Sequence, residues 1–394
     1  MSEETGESLF RGYHGRVLLS ITGGSLFISL VSMVVPPLLP TIIEEFSISS
    51  TQAGFVMTVW WLAVSVFNAP GGRLANELSH KTGLIAGLVI AVVGVVLLTS
   101  SPLYLTFLLG VAIVGVGRGF YQPSAIGQIA DLFVERRGQA LGLRGAAFNF
   151  GGVISGVLVA AVLAVGPWRT VFFPILGGLA VVLVCMHVWN REPYEIGRVK
   201  LDLRATLSRL GRSRDVLLAV VALSLFGFMW NGAISFLPSF LQFGKGFSPA
   251  AASIAFSGVF VVGTVVQPVY GRLGDRRGHA FASCLAVGFC TAGLFGLLVA
   301  DSLTPILVSL AVFAAGLSAF WPVMMAYGLQ RLSAGTRTGD WGAITAIFLA
   351  SEAIGSVYVG AVIDLTDHTV AFGSLLIFLF ASLLVTLWLA IEER

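Results

Sequence analysis

Arg118 lies about halfway along an apolar run, in Gly115-Val-Gly-Arg118-Gly119. A guanidinium is always charged, and its planar fork of N–H donors matches a carboxylate or phosphate. At the centre of a bilayer such a charge costs about 2.5–3.5 kcal/mol even on insertion scales. It therefore has to face protein, water or a counter-ion. Two readings stay open: a receptor for an anion, with flanking glycines that let a ligand approach, or a structural bridge to another helix. The one acidic residue at comparable depth is Glu352, midway along a later run. Three roles are open to it. It could pair with Arg118 while no ligand is present, carry a coupling proton, or be a neutral acid hydrogen-bonded to Ser351 or Ser356. Burial in a low dielectric favours the uncharged form of a carboxyl, which suits the second role.

A second tier is polar but uncharged: Asn68, Gln122, Gln128, Asn149, Asn231, Gln267 and Tyr327, with Trp230, Trp321, Tyr121 and Phe320 near them. Buried amides between membrane helices average under ~1 kcal/mol as adhesive. Each alone reads as structural, but Gln122 and Tyr121 stand one turn from Arg118 and are the better ligand contacts. Trp230 and Asn231 follow, then Asn149 and Tyr327. Trp60 and Trp61 are expected at the lipid or the interface. Asp131, Asp340 and Asp364 fall at the ends of runs, where charge is cheap, and read as structural. The histidines are scattered without ligand spacing. No phosphate-binding Gly-rich loop, catalytic triad or CxxC pair is present, so no enzyme, ATP-driven pump, cofactor or metal is expected.

The elements that carry these residues are membrane helices. The 394 residues are 56% hydrophobic and only 11% charged, too few charges for a water-facing surface of that size. Spanning a bilayer takes roughly 20 apolar residues, and twelve runs qualify: 17–39, 53–72, 82–100, 103–130, 139–165, 167–189, 215–240, 250–271, 280–300, 303–330, 341–363 and 369–391. They are continuous rather than alternating, which requires helices and not a barrel. Pro36, Pro37 and Pro40 are expected to end the first run and Pro238 the seventh, while Pro123 and Pro322 kink helices at equivalent depths. Many of the 47 glycines lie inside the runs, where small residues let helices approach, most plainly at Gly115/Gly119 and Gly152/Gly156. Cys185, Cys284 and Cys290 read as small buried apolar residues.

The chain repeats itself. Gly271-Arg-Leu-Gly-Asp-Arg-Arg-Gly-His279 and Gly72-Arg-Leu-Ala-Asn-Glu-Leu-Ser-His80 are 199 positions apart, each read as a charged hairpin between two runs. The same offset carries Pro123 onto Pro322. The division expected is 1–189, a six-helix bundle; 190–214, a linker; and 215–394, a second bundle. The linker is basic, with Leu203, Leu207 and Leu210 at helical spacing, and reads either as an amphipathic helix on the inner leaflet or as a solvated connection. Of the 23 Lys and Arg, twenty fall on the side of the termini, Arg169 and Lys245 opposite, and Arg118 in mid-membrane. Positive charge concentrates in the cytoplasm, so both termini are expected there, in the cell membrane. The net charge of +3 is explained by this and calls for no nucleic acid.

Two six-span halves, a basic linker and a charged hairpin after the second span of each half resemble the major facilitator superfamily. Its hairpin pattern, Gly-x-x-x-Asp-Arg-x-Gly followed by basic residues, is matched by Gly271, Asp275, Arg276 and Gly278, although His279 and Ala280 replace the basic tail. The first copy departs further: Gly72 and Arg73 are kept, but Asn76 replaces the Asp, Glu77 the Arg and Ser79 the Gly, with Lys81 following. Gly166-Pro-Trp168-Arg169-x-x-Phe172 and Gly115-x-Gly117-x-Gly119-x-x-x-Pro123 are also similar to stretches of that family.

The resemblance implies an all-α carrier of pseudo-symmetric bundles that rock about a midplane site. It also implies that Asp275 latches onto the N-terminus of the fifth span, around Arg137 to Gly142, while the cytoplasmic side is closed. A carboxylate at a helix N-terminus gains up to ~1–2 kcal/mol when partly buried. Asn76 could cap without a full charge, so the latch is expected to be asymmetric; the alternative is that both hairpins are ordinary turns. The function expected is secondary transport of a small organic anion such as a carboxylate, with protons as a possible coupling ion, by a monomer. A rival is proton-coupled export of drugs or hydrophobic compounds. Against it, the exporter pattern Gly-x-x-x-Gly-Pro is broken here by Val157 after Gly152 and Gly156, and the first span has no acid. A third reading, a membrane receptor that senses without transporting, would need a signalling element that the short tails do not offer.

Overall fold

The computed structural model describes residues 8–195, 214–332 and 337–393, without the side chains of residues 76, 337–340 and 342–343. The linker expected to carry an amphipathic helix falls largely in 196–213, outside the described residues. Twelve helices are long and apolar enough to cross a membrane, and twelve crossings bring both ends of the chain to one face. They are α1 (Gly12–Phe46), α2 (Ser50–Glu77), α3 (His80–Thr99), α4 (Tyr104–Leu132), α5 (Arg137–Val165) and α6 (Phe172–Trp189, entered through a 3₁₀ turn Trp168–Val171). The second bundle comprises α7 (Arg214–Ser239), α8 (Pro249–Arg277), α9 (His279–Val299), α10 (Leu303–Gln330), α11 (Arg337–Leu365) and α12 (His368–Glu392).

The first correction concerns proline. α1 runs on through Pro36, Pro37 and Pro40 to Phe46. A proline removes one backbone donor and crowds the preceding turn, but neighbouring helices hold these three in a fully buried stretch, and a membrane helix tolerates the defect there. The extension carries Glu44 and Glu45 on α1, so the first span is not free of acid. Glu45 accepts hydrogen bonds from Trp168 Nε1 and Arg169 Nη1, which explains the Gly-Pro-Trp-Arg corner as an anchor of α6 on the end of α1. Pro238 is followed by a π turn, Phe240–Gly244, which carries α7 slightly further.

The second correction concerns the charged repeats. Gly271 to Arg277 belong to the last turns of α8, and only Gly278 (φ 97°) makes the turn into α9. In the first copy α2 continues to Glu77. Capping residues obey the same 199-residue offset. Ser49 accepts from Gln52 N at the start of α2, and Ser248 from Ala251 N at the start of α8. On the terminal face, Glu192 accepts from the amides of His80 and Lys81 at the start of α3 (3.3 and 2.8 Å). Glu393 accepts from Ala280 N at the start of α9 (2.8 Å). Each bundle thus closes with a carboxylate on a helix N-terminus.

Small residues bring the helices together as expected. A Cβ on Gly115 would meet Trp60 and Ala63, one on Gly119 would meet Phe67, and one on Gly152 would strike the ring of Phe260. Of the cysteines only Cys290 is fully buried, against Gly316; Cys185 and Cys284 are partly exposed.

The bundles meet along two seams. On α2, Thr51, Gly54, Thr58, Trp61 and Ser65 recur every three or four residues, one face of a helix. They meet a matching stripe on α11: Thr58 Oγ1 donates to Ala353 O, Ser65 Oγ to Ala346 O (3.2 Å), and Ser356 Oγ of α11 to Gly54 O (2.8 Å). Asp364, expected to be a simple span end, accepts from Ser50 N (2.9 Å), Thr51 N (2.8 Å) and Thr51 Oγ1 (2.6 Å). It caps α2 across the seam on the face opposite the termini. The second seam joins α5 and α8 through Gly152, Gly156 and the Asn149–Gln267 hydrogen bond (3.0 Å). Toward the terminal face this seam parts: a Cβ on Gly138, Gly142, Gly145 or Gly271 would meet nothing within 4 Å.

Candidate functional site

Arg118 is held inside the fold rather than at lipid. Glycines at 115, 117 and 119 bring α4 against α2 and α3, and the side chain between them is only 9% exposed. Its Nε donates to Gln122 Oε1 one turn on (3.3 Å). The guanidinium lies over the rings of Trp61 (4.9 Å) and Phe148 (5.0 Å), contacts that stabilise a desolvated cation by up to ~2 kcal/mol each. Nη1 is buried with no hydrogen-bond partner. Among the described residues no carboxylate forms an ion pair with Arg118, which counts against a permanent bridge. Nη1 is thus a buried charged donor without a partner among the described residues, and leaving such a donor unsatisfied costs at least ~1–3 kcal/mol.

Trp61 overturns the expectation for the Trp60-Trp61 pair. Both are buried, at 1% and 4% exposure: the backbone at Trp60 packs on Gly115 of α4, and Trp61 lies on the inter-bundle stripe of α2. Trp61 meets Trp230 edge-on (6.1 Å), Trp230 meets Trp321 (6.2 Å), and Trp321 meets Phe348 (5.6 Å). An aromatic wall therefore links Arg118 in one bundle with Glu352 in the other.

Glu352 is 3% exposed. It lies beside Gly227, where a Cβ would be in ordinary contact, 3.5 Å, with both Glu352 and Trp321. It forms no ion pair with Arg118, although each is near enough to feel the other's charge. The reading that ties its carboxyl to Ser351 or Ser356 fails. Ser351 Oγ donates to Ser224 O (3.1 Å) and Ser356 Oγ to Gly54 O (2.8 Å), so both hydroxyls are spent on neighbouring backbone.

The remaining expected contacts divide. Gln122 and Trp230 join the Arg118–Trp61 group. Tyr121 turns away: its hydroxyl donates to Ile21 O of α1 (2.7 Å) and its ring fills the space above Gly24. Asn231 is committed to structure, with Nδ2 donating to Glu352 O (2.7 Å) and Ser356 Oγ (3.3 Å), and Oδ1 accepting from Ser235 (3.3 Å). Asn149 joins the bundles through Gln267. Tyr327 lies near the terminal-face end of α10 with Arg331 over its ring, away from Arg118.

The Asp275 latch is not engaged in this conformation. Asp275 is exposed and contacts His279 Nε2 (3.5 Å), while the start of α5 has open space beside Gly138 and Gly142. Arg276 is exposed, and Arg73 is half-buried in the last turns of α2. The side chain of Asn76 lies outside what the structure describes.

One residue near the site escaped the sequence reading altogether. Arg144, counted there among the twenty basic residues on the side of the termini, is two turns inside α5, its Nε buried and without a partner. The available signal was its place within the apolar run 139–165, four residues before Phe148.

The comparisons with known proteins agree with this architecture. Among solved structures, a bacterial homologue of the human lysosomal transporter Spinster, in an inward-facing and unoccupied conformation, superposes with a TM-score of 0.81 at 16% identity, covering 98% of this chain and 99% of that one. The uncharacterized transporter YycB of Bacillus subtilis is 26% identical over 342 residues, 84% of this chain and 82% of its own. The probable nitrate transporter NarT of Staphylococcus haemolyticus is 24% identical over 66% of this chain and 65% of its own. Multidrug resistance protein 1 of Bacillus subtilis is 24% identical over 87% of each. The Major Facilitator Superfamily model matches residues 21–339, and with twelve membrane helices in two bundles around a buried, unsatisfied arginine, the chain belongs to that superfamily of transporters.

Proposed function

We propose that this secondary transporter moves a small organic anion, a carboxylate, by alternating access, and that Arg118 is the anchor of that anion. One observation carries the reading: a guanidinium nine-tenths buried, with an unpartnered Nη1 and no ion pair among the described residues. A carboxylate would satisfy that donor and neutralise the charge. The unit is a monomer in the cell membrane, divided at 1–189, 190–214 and 215–394. With Arg144 set aside, nineteen of the 23 basic residues fall by sequence on the side of the termini, which supports cytoplasmic termini and makes the parted end of the α5/α8 seam the cytoplasmic opening. Closing it would let Asp275 reach the start of α5. Glu352 carries the coupling proton, across the aromatic wall from Arg118.

A second reading, export of hydrophobic compounds, draws on the wall of Trp61, Trp230, Trp321 and Phe348 and on the likeness to a multidrug resistance protein. One experiment separates the two. Purified protein is screened by thermal shift against carboxylates, phosphorylated sugars and cationic dyes, and the hits are followed as uptake into proteoliposomes. Carboxylates are expected to stabilise the wild type. Arg118→Ala should abolish that response and weaken binding by roughly 10- to 100-fold, the worth of a charged hydrogen bond. Arg118→Lys should restore it only partly, having the charge without the fork. Stabilisation by dyes alone, or carboxylate uptake indifferent to both changes, ends the anion reading.

A further inference from the structure

A second cation stands beside the first. α1 and α5 both leave the terminal face and run parallel, and Ser29 Oγ of α1 donates to Phe148 O of α5 (3.0 Å). One turn back along both helices, the same register brings Ser25 level with Arg144, and both act on Tyr121. Phe148 is the ring on which Arg118 lies, so the two guanidiniums flank one turn of α5. Arg118 feels the charge of Arg144, and Tyr121 stands in the field of Arg144 beside Ser25.

Neither arginine has an ion pair among the described residues. Arg118 Nη1 and Arg144 Nε are both buried without a partner, as is the hydroxyl of Thr22, one turn before Ser25. The charged and titratable groups that face this corner are Arg118 and Tyr121 from α4, Arg144 from α5 and, from the other bundle, Glu352 of α11, whose field reaches Arg118. Two like charges in a medium of low dielectric repel each other and resist burial. Three helices, α1, α4 and α5, thus each carry an unspent buried donor along their shared seams. A single carboxylate on Arg118 would leave Arg144 as it is.

We infer that Arg144 is the second pole of the anion site, and that the cargo is a short dicarboxylate held by Arg118 at one end and by Arg144 with the α1 hydroxyls of Thr22 and Ser25 at the other. This rests on the anion reading and narrows it. The poles are offset by one turn of α5, roughly 5 Å, which suits two carboxylates on a short carbon chain better than one compact tetrahedral ion. Arg144 lies nearer the parted end of the α5/α8 seam, so an entering dianion meets it before Arg118.

The test titrates the full-length protein in detergent with succinate, with butyrate, which has the same carbon count and one carboxylate, and with inorganic phosphate. Wild type should bind succinate at least tenfold more tightly than butyrate or phosphate. Arg144→Gln should bring succinate down to the level of butyrate, and Arg144→Lys should keep part of the preference, which a merely structural arginine would not allow. Should Arg144→Gln not fold, the wild-type comparison and the lysine variant decide. Equal binding of succinate and butyrate, tighter binding of phosphate, or a preference untouched by Arg144→Gln overturns the second pole while leaving Arg118 as anchor. If no anion binds and Arg118→Ala changes nothing, the anion reading falls and the second pole with it.

Discussion

Along α2 and α11 the bundles are joined by hydrogen bonds from Thr58, Ser65 and Ser356 and by the Asp364 cap on Ser50 and Thr51. Along α5 and α8 they are joined mainly by close approach, with Gly156 set against Ser253 and Gly152 against Phe260. Pseudo-symmetry relates the two seams, since Ser49 and Ser248 begin α2 and α8 at the 199-residue offset. Yet Val165 stands where the offset would place the partner of Asp364. The charge therefore sits on one seam only. Hydrogen bonds and a helix-terminus cap fix register and direction, whereas a glycine contact holds only while the backbones touch. The α5/α8 seam is accordingly the one seen to part toward the terminal face, and the α2/α11 seam, which carries Trp61 and Glu352, is the one able to report the state of the site.

The comparison can be broken hardest at Gly156. A Cβ there would overlap the carbonyl of Ser253, so Gly156→Leu should prevent closure of the face opposite the termini. The expected cost is about 3 kcal/mol or more, read as a lowered Tm and as labelling of a Val357→Cys probe in a background without the three native cysteines. If that probe stays protected, closeness is not what holds the α5/α8 seam. Next in size is Glu352→Gln. The backbone carbonyl of Glu352 is tied to Asn231 (2.7 Å) and that of Ala353 to Thr58, so the carboxyl stands at the core of the hydrogen-bonded seam. Removing its charge change should uncouple uptake from an imposed pH gradient while exchange continues; unaltered dependence on the gradient would reject Glu352 as the proton carrier. The smallest effect is expected from Asp364→Asn, which keeps the shape and some hydrogen bonds but loses the charge at the α2 N-terminus. A cost of ~1–2 kcal/mol would raise labelling of the same probe roughly 5- to 30-fold. No change would mean that the cap is ornamental and the seams are equivalent.

Much of this was legible in the chain. Twelve apolar runs, the 199-residue repeat, the glycine pairs and the buried Arg118 all depend on local properties: length, polarity and spacing along one helix. The seam stripe Thr51-Gly54-Thr58-Trp61-Ser65 was also legible in principle, because small and hydroxyl residues at spacings of three and four mark a helix face that meets protein. Reading Trp61 as an isolated aromatic concealed it. Arg144 was misplaced for a related reason: distance from the end of a run gives depth, but whether a side chain at that depth turns outward or into the bundle depends on a neighbouring helix. The prolines of α1 misled because the rule that they end helices assumes solvent to compete for the freed carbonyls, and this stretch of α1 is packed on all sides by protein.

The sequence alone determined that the protein is a twelve-span membrane chain made of a repeated six-helix unit, with one cation too deep to be incidental. Those properties follow from the free energy of moving each segment into hydrocarbon, which is summed residue by residue. Only the tertiary structure decided that Asp364 caps the opposite bundle, that Tyr121 and Asn231 are spent on packing, and that Arg118 and Arg144 share a corner with donors to spare. Such facts depend on which helix faces meet, and that is settled by contacts between residues hundreds of positions apart, whose pairing no local free energy records.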